Sequence, residues 1–433
     1  MRSRCVPLFL LQPLAPRALT DSCTPPPCPQ AGGLLWNVSD HVQAKSQSGG
    51  GEAAHGGELW MYLLQNLLAL CRDSRQEVRD AAISNVFRSI AMYGNTLDSP
   101  TWDAVCWEVI FPLVEDISAS IHQHNVREPD DDDELGEATV PQANGPPIRL
   151  VDKQWDDSKQ LALRSVGDVF FEYLPQLVKT DRYEDIWRAF VSQVQRSFVL
   201  DRPHAATAAM QALDKVLTVS LDMSDASRIA SSWEVAWSAW DEIGAAVEEN
   251  ARASSPDDEA DPTAKVFTQV NLEAFVRTVL PIYTPPYISF DLARVQRLLA
   301  VLKAVLTYTK SPDYRPDVDG LMPLQSVILE VIAVIKLDEI PGATSAVLSD
   351  LSEFLMLAFT SPFEKASAPS VGGRTFAPQQ VTYVALAKEV MPHVQWLYRK
   401  YADDPLVYDQ GAVGKMLQVR SGPLFLSSSP NLD

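Results

Sequence analysis

The stretch Arg72–Asp116, RDSRQEVRDAAISNVFRSIAMYGNTLDSPTWDAVCWEVIFPLVED, decides the fold. Val78, Ala82, Ile83, Val86, Phe87 and Ile90 recur at spacings of three and four, which places them on one face of a helix. Trp102, Val105, Cys106, Val109, Ile110 and Leu113 repeat the pattern. Ser74 and Glu77 fit a capping box at the first helix's start. Gly94 follows its last turn, where a left-handed cap favours a residue without Cβ. Ser99-Pro100 then reads as an N-cap with proline at the first helical position. Neither stripe can be buried alone. Face to face they make a helical hairpin, and such hairpins stack into a solenoid.

The same reading extends in both directions. A helix over about 58–71 precedes the stretch, with Leu59, Tyr62, Leu63, Leu67 and Leu70 as its face. After it, 122–150 holds Pro-Asp-Asp-Asp-Asp-Glu at 129–134 and Pro-Gln-Ala-Asn-Gly-Pro-Pro at 141–147. Like charges, prolines and little to bury predict a disordered acidic loop. Periodicity returns with Trp155, Ala162, Val166, Val169, Phe170 and Tyr173, then with Tyr183, Ile186, Trp187, Phe190, Val191, Val194 and Phe198. Asp201 and Pro203 read as the cap of a helix carrying Ala206, Ala209, Met210, Leu213 and Leu217. Another, over about 225–249, carries Ile229, Trp233, Ala236, Trp237, Trp240 and Ile243.

Residues 250–263 form a polar break that divides the chain into a first array, 33–250, and a second, 264–402. The second contains helices at about 264–281, 290–310, 322–337, 343–359 and 377–402. Val327, Ile328, Val331, Ile332, Val334 and Ile335 are apolar nearly all round, which predicts burial between neighbours. Residues 403–433 read as a disordered tail, and 43–57 as a Ser/Gly-rich linker. Residues 1–32 read as a disordered leader or the product of an imperfect gene model; the apolar run after Arg4 imitates a secretory signal, but Pro7, Pro13 and Pro16 interrupt it. Gly33–Val42 looks like the tail of a further repeat. No segment alternates with a period of two between hairpin turns, so strands are not expected. The fold class is all-α, a HEAT/armadillo-like α-solenoid of stacked helical hairpins.

Composition narrows function. A 433-residue chain with 46% hydrophobic residues can bury a long core. A net charge of −20 disfavours nucleic acid and direct adsorption to anionic lipid, both of which need clustered Lys and Arg. Five scattered cysteines give no disulfide framework, which points to a reducing, cytosolic setting. No stretch reaches the roughly 18 to 20 apolar residues of a membrane span.

Candidate chemistry is sparse. His122-x-His124 lies beside the acidic run and Cys23-x₄-Cys28 among prolines, and neither has the convergent third and fourth ligands that zinc requires. Gly49-Gly50-Gly51 lacks the Gly-Lys-Ser/Thr of a phosphate loop. No G-x-S-x-G occurs. Trp233, Trp237 and Trp240 share one helical face, which favours core packing over an aromatic platform, although an exposed member could anchor a partner. The acidic run at 129–134 suits a solvated loop or a dock for a basic surface. The sequence therefore assigns no catalytic, cofactor-binding or metal-binding residue, and it leaves partner-binding residues open.

Arg75, Val78, Arg79, Ala82, Phe87, Ile90, Gly94, Trp102, Val109, Phe111, Leu113 and Asp116 also form a pattern that resembles the repeats downstream of the catalytic module in the large, brefeldin-A-inhibited Sec-seven-type Arf exchange factors. It is most similar to the MON-two (monensin-sensitivity) family, a non-catalytic relative of those factors. Gly33–Asp40, Glu58–Met61 and Trp155–Leu217 agree with it. The resemblance implies no enzymatic activity, peripheral association with trans-Golgi and endosome membranes, and a scaffold role in vesicle traffic. It implies a Dopey-family protein, an Arf-like GTPase and an aminophospholipid flippase as partners, with homo-oligomerisation left open. Two other readings stand beside it: the regulatory tail of a true Arf exchange factor, and a karyopherin-like transport receptor.

Overall fold

Burial rather than capping propensity determines where the helices lie. In the computed structural model the described residues are 53–126, 139–142, 145–221, 226–252, 265–315, 317, 320–360, 383–409 and 414. Cys23, Cys28, the glycines at 49–51 and the acidic run at 129–134 fall outside them.

Helix α1 (Ala53–Leu70) begins within the stretch read as a linker, and its buried face is Trp60, Leu63, Leu64, Leu67, Leu68 and Cys71. Tyr62 and Leu70, expected inside, are exposed. The face rotates because Trp60 buries more area than the Leu-Tyr alternative, and the run 60, 63, 64, 67, 68, 71 keeps the 3.6-residue period around it.

Helix α2 (Gln76–Tyr93) has no capping box; Arg75 is its N-cap, and Asp73 accepts from the Arg75 amide at 2.9 Å. Gly94 does not adopt the left-handed conformation: at φ −53° it opens a short 3₁₀ turn (Gly94–Thr96). A Cβ there would meet the Tyr173 ring at 2.6 Å, so the glycine is required for close packing. Asp98, not Ser99, caps the next helix by accepting from the Thr101 amide at 3.1 Å. Its carboxylate takes the place the Ser hydroxyl was expected to fill, and Ser99 and Pro100 become the first helical residues.

That helix, α3, runs from Ser99–Val105 through a π turn at Cys106–Ile110 into Phe111–Val126. Pro112 follows the wide turn; it cannot donate to Glu108, and the extra residue relieves the clash of its ring with that carbonyl.

Two short strands follow where disorder was expected, β1 (Thr139–Gln142) and β2 (Gly145–Arg149). They pair antiparallel, Val140 opposite Ile148, with an irregularity before Gln142. Pro141, Pro146 and Pro147 are tolerated because both strands are edges. The pairing is too short for an alternation to stand out in sequence.

Then come α4 (Leu150–Leu177), α5 (Tyr183–Leu200), α6 (Pro203–Leu217) and α7 (Ala226–Arg252). Every apolar residue assigned from sequence to the faces of these four helices is buried. Arg202, not Asp201, is the N-cap of α6; Asp201 ends α5, because its carboxylate is drawn inward to Lys159. Beyond 253–264 lie α8 (Gln269–Arg277), α9 (Val279–Tyr283), α10 (Leu292–Leu306), α11 (Pro323–Ala333), α12 (Ala343–Thr360), α13 (Val384–Lys400) and α14 (Pro405–Asp409). Pro281 accounts for the break between α8 and α9, since it withholds the amide that would continue one helix. Val334 lies just past α11 and is exposed, while Val327, Ile328, Val331, Ile332 and Ile335 are buried. Helix α14 turns part of the stretch read as a tail back onto α12, with Val407 buried.

The helices form two layers. In one, α2, α4, α6, α8 and α11 contact in succession; in the other, α5, α7, α10 and α12 do the same. Sequential neighbours such as α5 and α6, or α12 and α13, join the layers. This is an all-α helical solenoid. Its packing continues across the polar break: α6 touches α8 and α7 touches α10, so no core ends at residue 250.

Candidate functional site

Between the layers runs a line of aromatic side chains. Phe170 stacks on Phe190 at 4.5 Å, Trp187 on Trp233 at 6.3 Å, and Trp240 on Phe275 at 4.8 Å. Trp233 donates to the Pro281 carbonyl at 2.9 Å and Trp240 to the Phe275 carbonyl at 3.0 Å. With Trp237 also buried, the three tryptophans are core, and none is free to anchor a partner.

Sequence periodicity missed a set of interior charges. Arg79 is fully buried. Its guanidinium donates to Ser158 Oγ at 2.8 Å, to the Asp73 carbonyl at 2.8 Å and to the Gln154 carbonyl at 3.1 Å, and it lies 3.8 Å above the Trp155 ring. Each of its three nitrogens has an acceptor, which is what makes a buried arginine tolerable.

A second cluster sits where α4 meets the α5–α6 turn. The Lys159 ammonium is 2.5 Å from the Asp201 carboxylate. Arg202 lies 3.3 Å from Asp152 and 3.5 Å from Asp156, and Arg149 lies 3.0 Å from Asp152. Lys265 donates to the Asp201 carbonyl. Burial pushes Asp156 up to about 7 despite Arg202, and it pulls Lys265 down to about 8. The only sequence signal for this cluster is a charged residue falling on an otherwise apolar face, as Lys159 does between Trp155 and Ala162.

Tyr283, Tyr287 and Phe290 line a groove of about 480 Å³ with Lys336 and Glu339 at its rim. The rim charges pair with each other at 3.4 Å. His122 is exposed near the end of α3, and no group of His, Cys, Asp and Glu suited to a metal occurs among the described residues. Among those residues no helix is long and apolar enough to cross a membrane. Exposed apolar side chains such as Leu200, Val270, Met92 and Trp396 are spread over separate helices.

The class these features define is a helical solenoid whose interior is closed by packing and whose long outer faces are available. Residues 53–246 match the family described as the C-terminal region of Mon2 protein. The chain is 23% identical over 347 residues to the Drosophila melanogaster protein named Protein MON2 homolog, which covers 70% of this chain and 20% of that one. It is 21% identical over 392 residues to the Caenorhabditis briggsae protein of the same name, covering 78% and 23%. Arabidopsis thaliana Brefeldin A-inhibited guanine nucleotide-exchange protein 2 is 26% identical over 228 residues, covering 52% and 11%. The resemblance to the MON-two family therefore holds along helices α1 to α7, and the chain is also similar to a brefeldin-A-inhibited exchange protein. The chain spans about a fifth to a quarter of the length of the MON2 homologues. No solved structure matches it.

Proposed function

We propose that the chain is a non-catalytic scaffold in vesicle-mediated protein transport, held peripherally on trans-Golgi and endosome membranes. It binds partner proteins through the outer faces of HEAT-like helical repeats. The match of residues 53–246 to the C-terminal region of Mon2 carries this reading. The closed interior supports it, because stacked hairpins offer long surfaces and no chemistry of their own. The partners the resemblance implies are a Dopey-family protein, an Arf-like GTPase and an aminophospholipid flippase.

The test is to express the tagged chain, follow its location against trans-Golgi and endosome markers, and probe the captured material for the Dopey-family protein. Co-localisation with capture is the expected result. A diffuse distribution with no capture would refute the scaffold reading. A second reading, the regulatory region of an Arf exchange factor, is favoured by the likeness to the Arabidopsis protein. It predicts that the purified chain alters nucleotide release when added to an Arf exchange module, whereas the scaffold reading predicts no effect.

A further inference from the structure

The charge cluster at the α5–α6 turn holds together three parts of the chain that are distant in sequence. Arg149 ends β2, and Asp152, Asp156 and Lys159 occupy the first turns of α4. Asp201 and Arg202 form the α5–α6 turn, and Lys265 precedes α8. Lys159, Asp152 and Asp156 are 2%, 8% and 6% exposed, so water hardly screens them. The groups facing Asp156 are Arg202 and Asp201 from the turn, Lys159 and Asp157 from its own helix, and Lys265 from the segment before α8; Asp152, paired with both Arg202 and Arg149, completes the cluster. Asp156 Oδ1 and Arg202 Nη1 are both buried and make no hydrogen bond. With Asp156 ionised, that buried oxygen carries charge without a donor, and protonation removes the charge.

We propose that this cluster is a proton-operated latch: protonated Asp156 lets the α5–α6 turn and the Lys265 segment close on α4, and its ionisation loosens them. The direction follows from linkage. Opening the cluster returns Asp156 to water, where its affinity for a proton falls to that of an ordinary carboxylate. The closed state therefore binds the proton more tightly and loses ground as pH rises toward the group's closed-state value of about 7. Above that value both states are ionised and the pH dependence of this group ends.

Hydrogen exchange of the intact chain tests this, with intrinsic rates corrected for pH. Opening of the amides at 198–206 is expected to rise about tenfold per pH unit between about pH 5 and 7 and then level off. Asp156→Asn keeps the shape and removes the titration, so its opening is expected to be low and flat over the same range. Lys265→Met is expected to raise opening at 265–271 at every pH while leaving the slope at 198–206 intact. It also provides a measurement should the Asn variant misfold. A flat profile in the unaltered chain, or an undiminished slope in Asp156→Asn, would overturn the proposal.

Discussion

Replacing Trp187 by alanine tests whether the interior aromatic line supports the array. The Trp187 indole is 1% exposed. It stacks on Trp233 at 6.3 Å with an 8° interplanar angle and lies 5.7 Å from Phe190. Its Nε1 donates to the Ser232 carbonyl at 2.8 Å. Removing a buried Trp side chain costs about 3 to 5 kcal/mol in transfer and cavity terms. The lost hydrogen bond adds no more than about 1 kcal/mol, because Ser232 lies in the middle of α7, where the helix ladder also engages its carbonyl. The expected loss is therefore about 3 to 6 kcal/mol, a large share of the roughly 5 to 15 kcal/mol typical of a whole domain. Each helix touches only near neighbours, so the damage should concentrate where α5 meets α7. Urea unfolding followed by circular dichroism should show a lower midpoint, and limited proteolysis should cut first in the turns at 178–182 and 201–202. Trp187→Phe, which keeps a ring against Trp233 but loses the donor, should fall between the two. A loss below about 1 kcal/mol with an unchanged cleavage pattern would refute the assignment of this face to the core.

Phe87→Ala should cost about 3 to 5 kcal/mol by the same argument, since Phe87 is buried, and unchanged thermal unfolding would contradict it. Gly94→Ala places a methyl group 2.6 Å from the Tyr173 ring and should destabilise by about 1 to 3 kcal/mol; equal or greater stability would show that the ring can yield. Asp317→Asn should speed hydrogen exchange at the start of α13, because the Asp317 carboxylate accepts from the Val384 amide at 3.1 Å and the Leu386 amide at 3.0 Å. Cys71, whose thiol burial pushes up to about 12, and Cys106, pushed well above its ordinary range by burial, should resist thiol reagents at pH 8. Mass spectrometry should find both labelled only after denaturation, and rapid labelling of the folded chain would place them at the surface.

What the sequence made legible was apolar area, and what it concealed was polar geometry. The stripes from Trp102 to Leu113 and from Tyr183 to Phe198 were readable because burying large side chains dominates the energetics, and its period survives without knowledge of any partner. Capping was less legible: Asp73 and Asp98 sit one residue before the serines that fit the motif, and a carboxylate and a hydroxyl accept equally well there. Gly94 looked like a cap because its real reason, the Tyr173 ring, lies 79 residues away in sequence. Arg79 illustrates the limit most clearly. A charged residue beside an apolar stripe is ordinarily solvated, and nothing within α2 could reveal that Ser158, Gln154 and Trp155 wait on α4 to receive its guanidinium. Arg149, Asp152, Asp156, Lys159, Asp201, Arg202 and Lys265 share that property, since each is affordable only because the others are present. A search for metal or catalytic spacing passes over them, because they answer one another across helices instead of converging on a ligand. In a solenoid of this kind the interior polar residues therefore record which helices must stay together, while the exposed apolar side chains, spread over separate helices, single out no face.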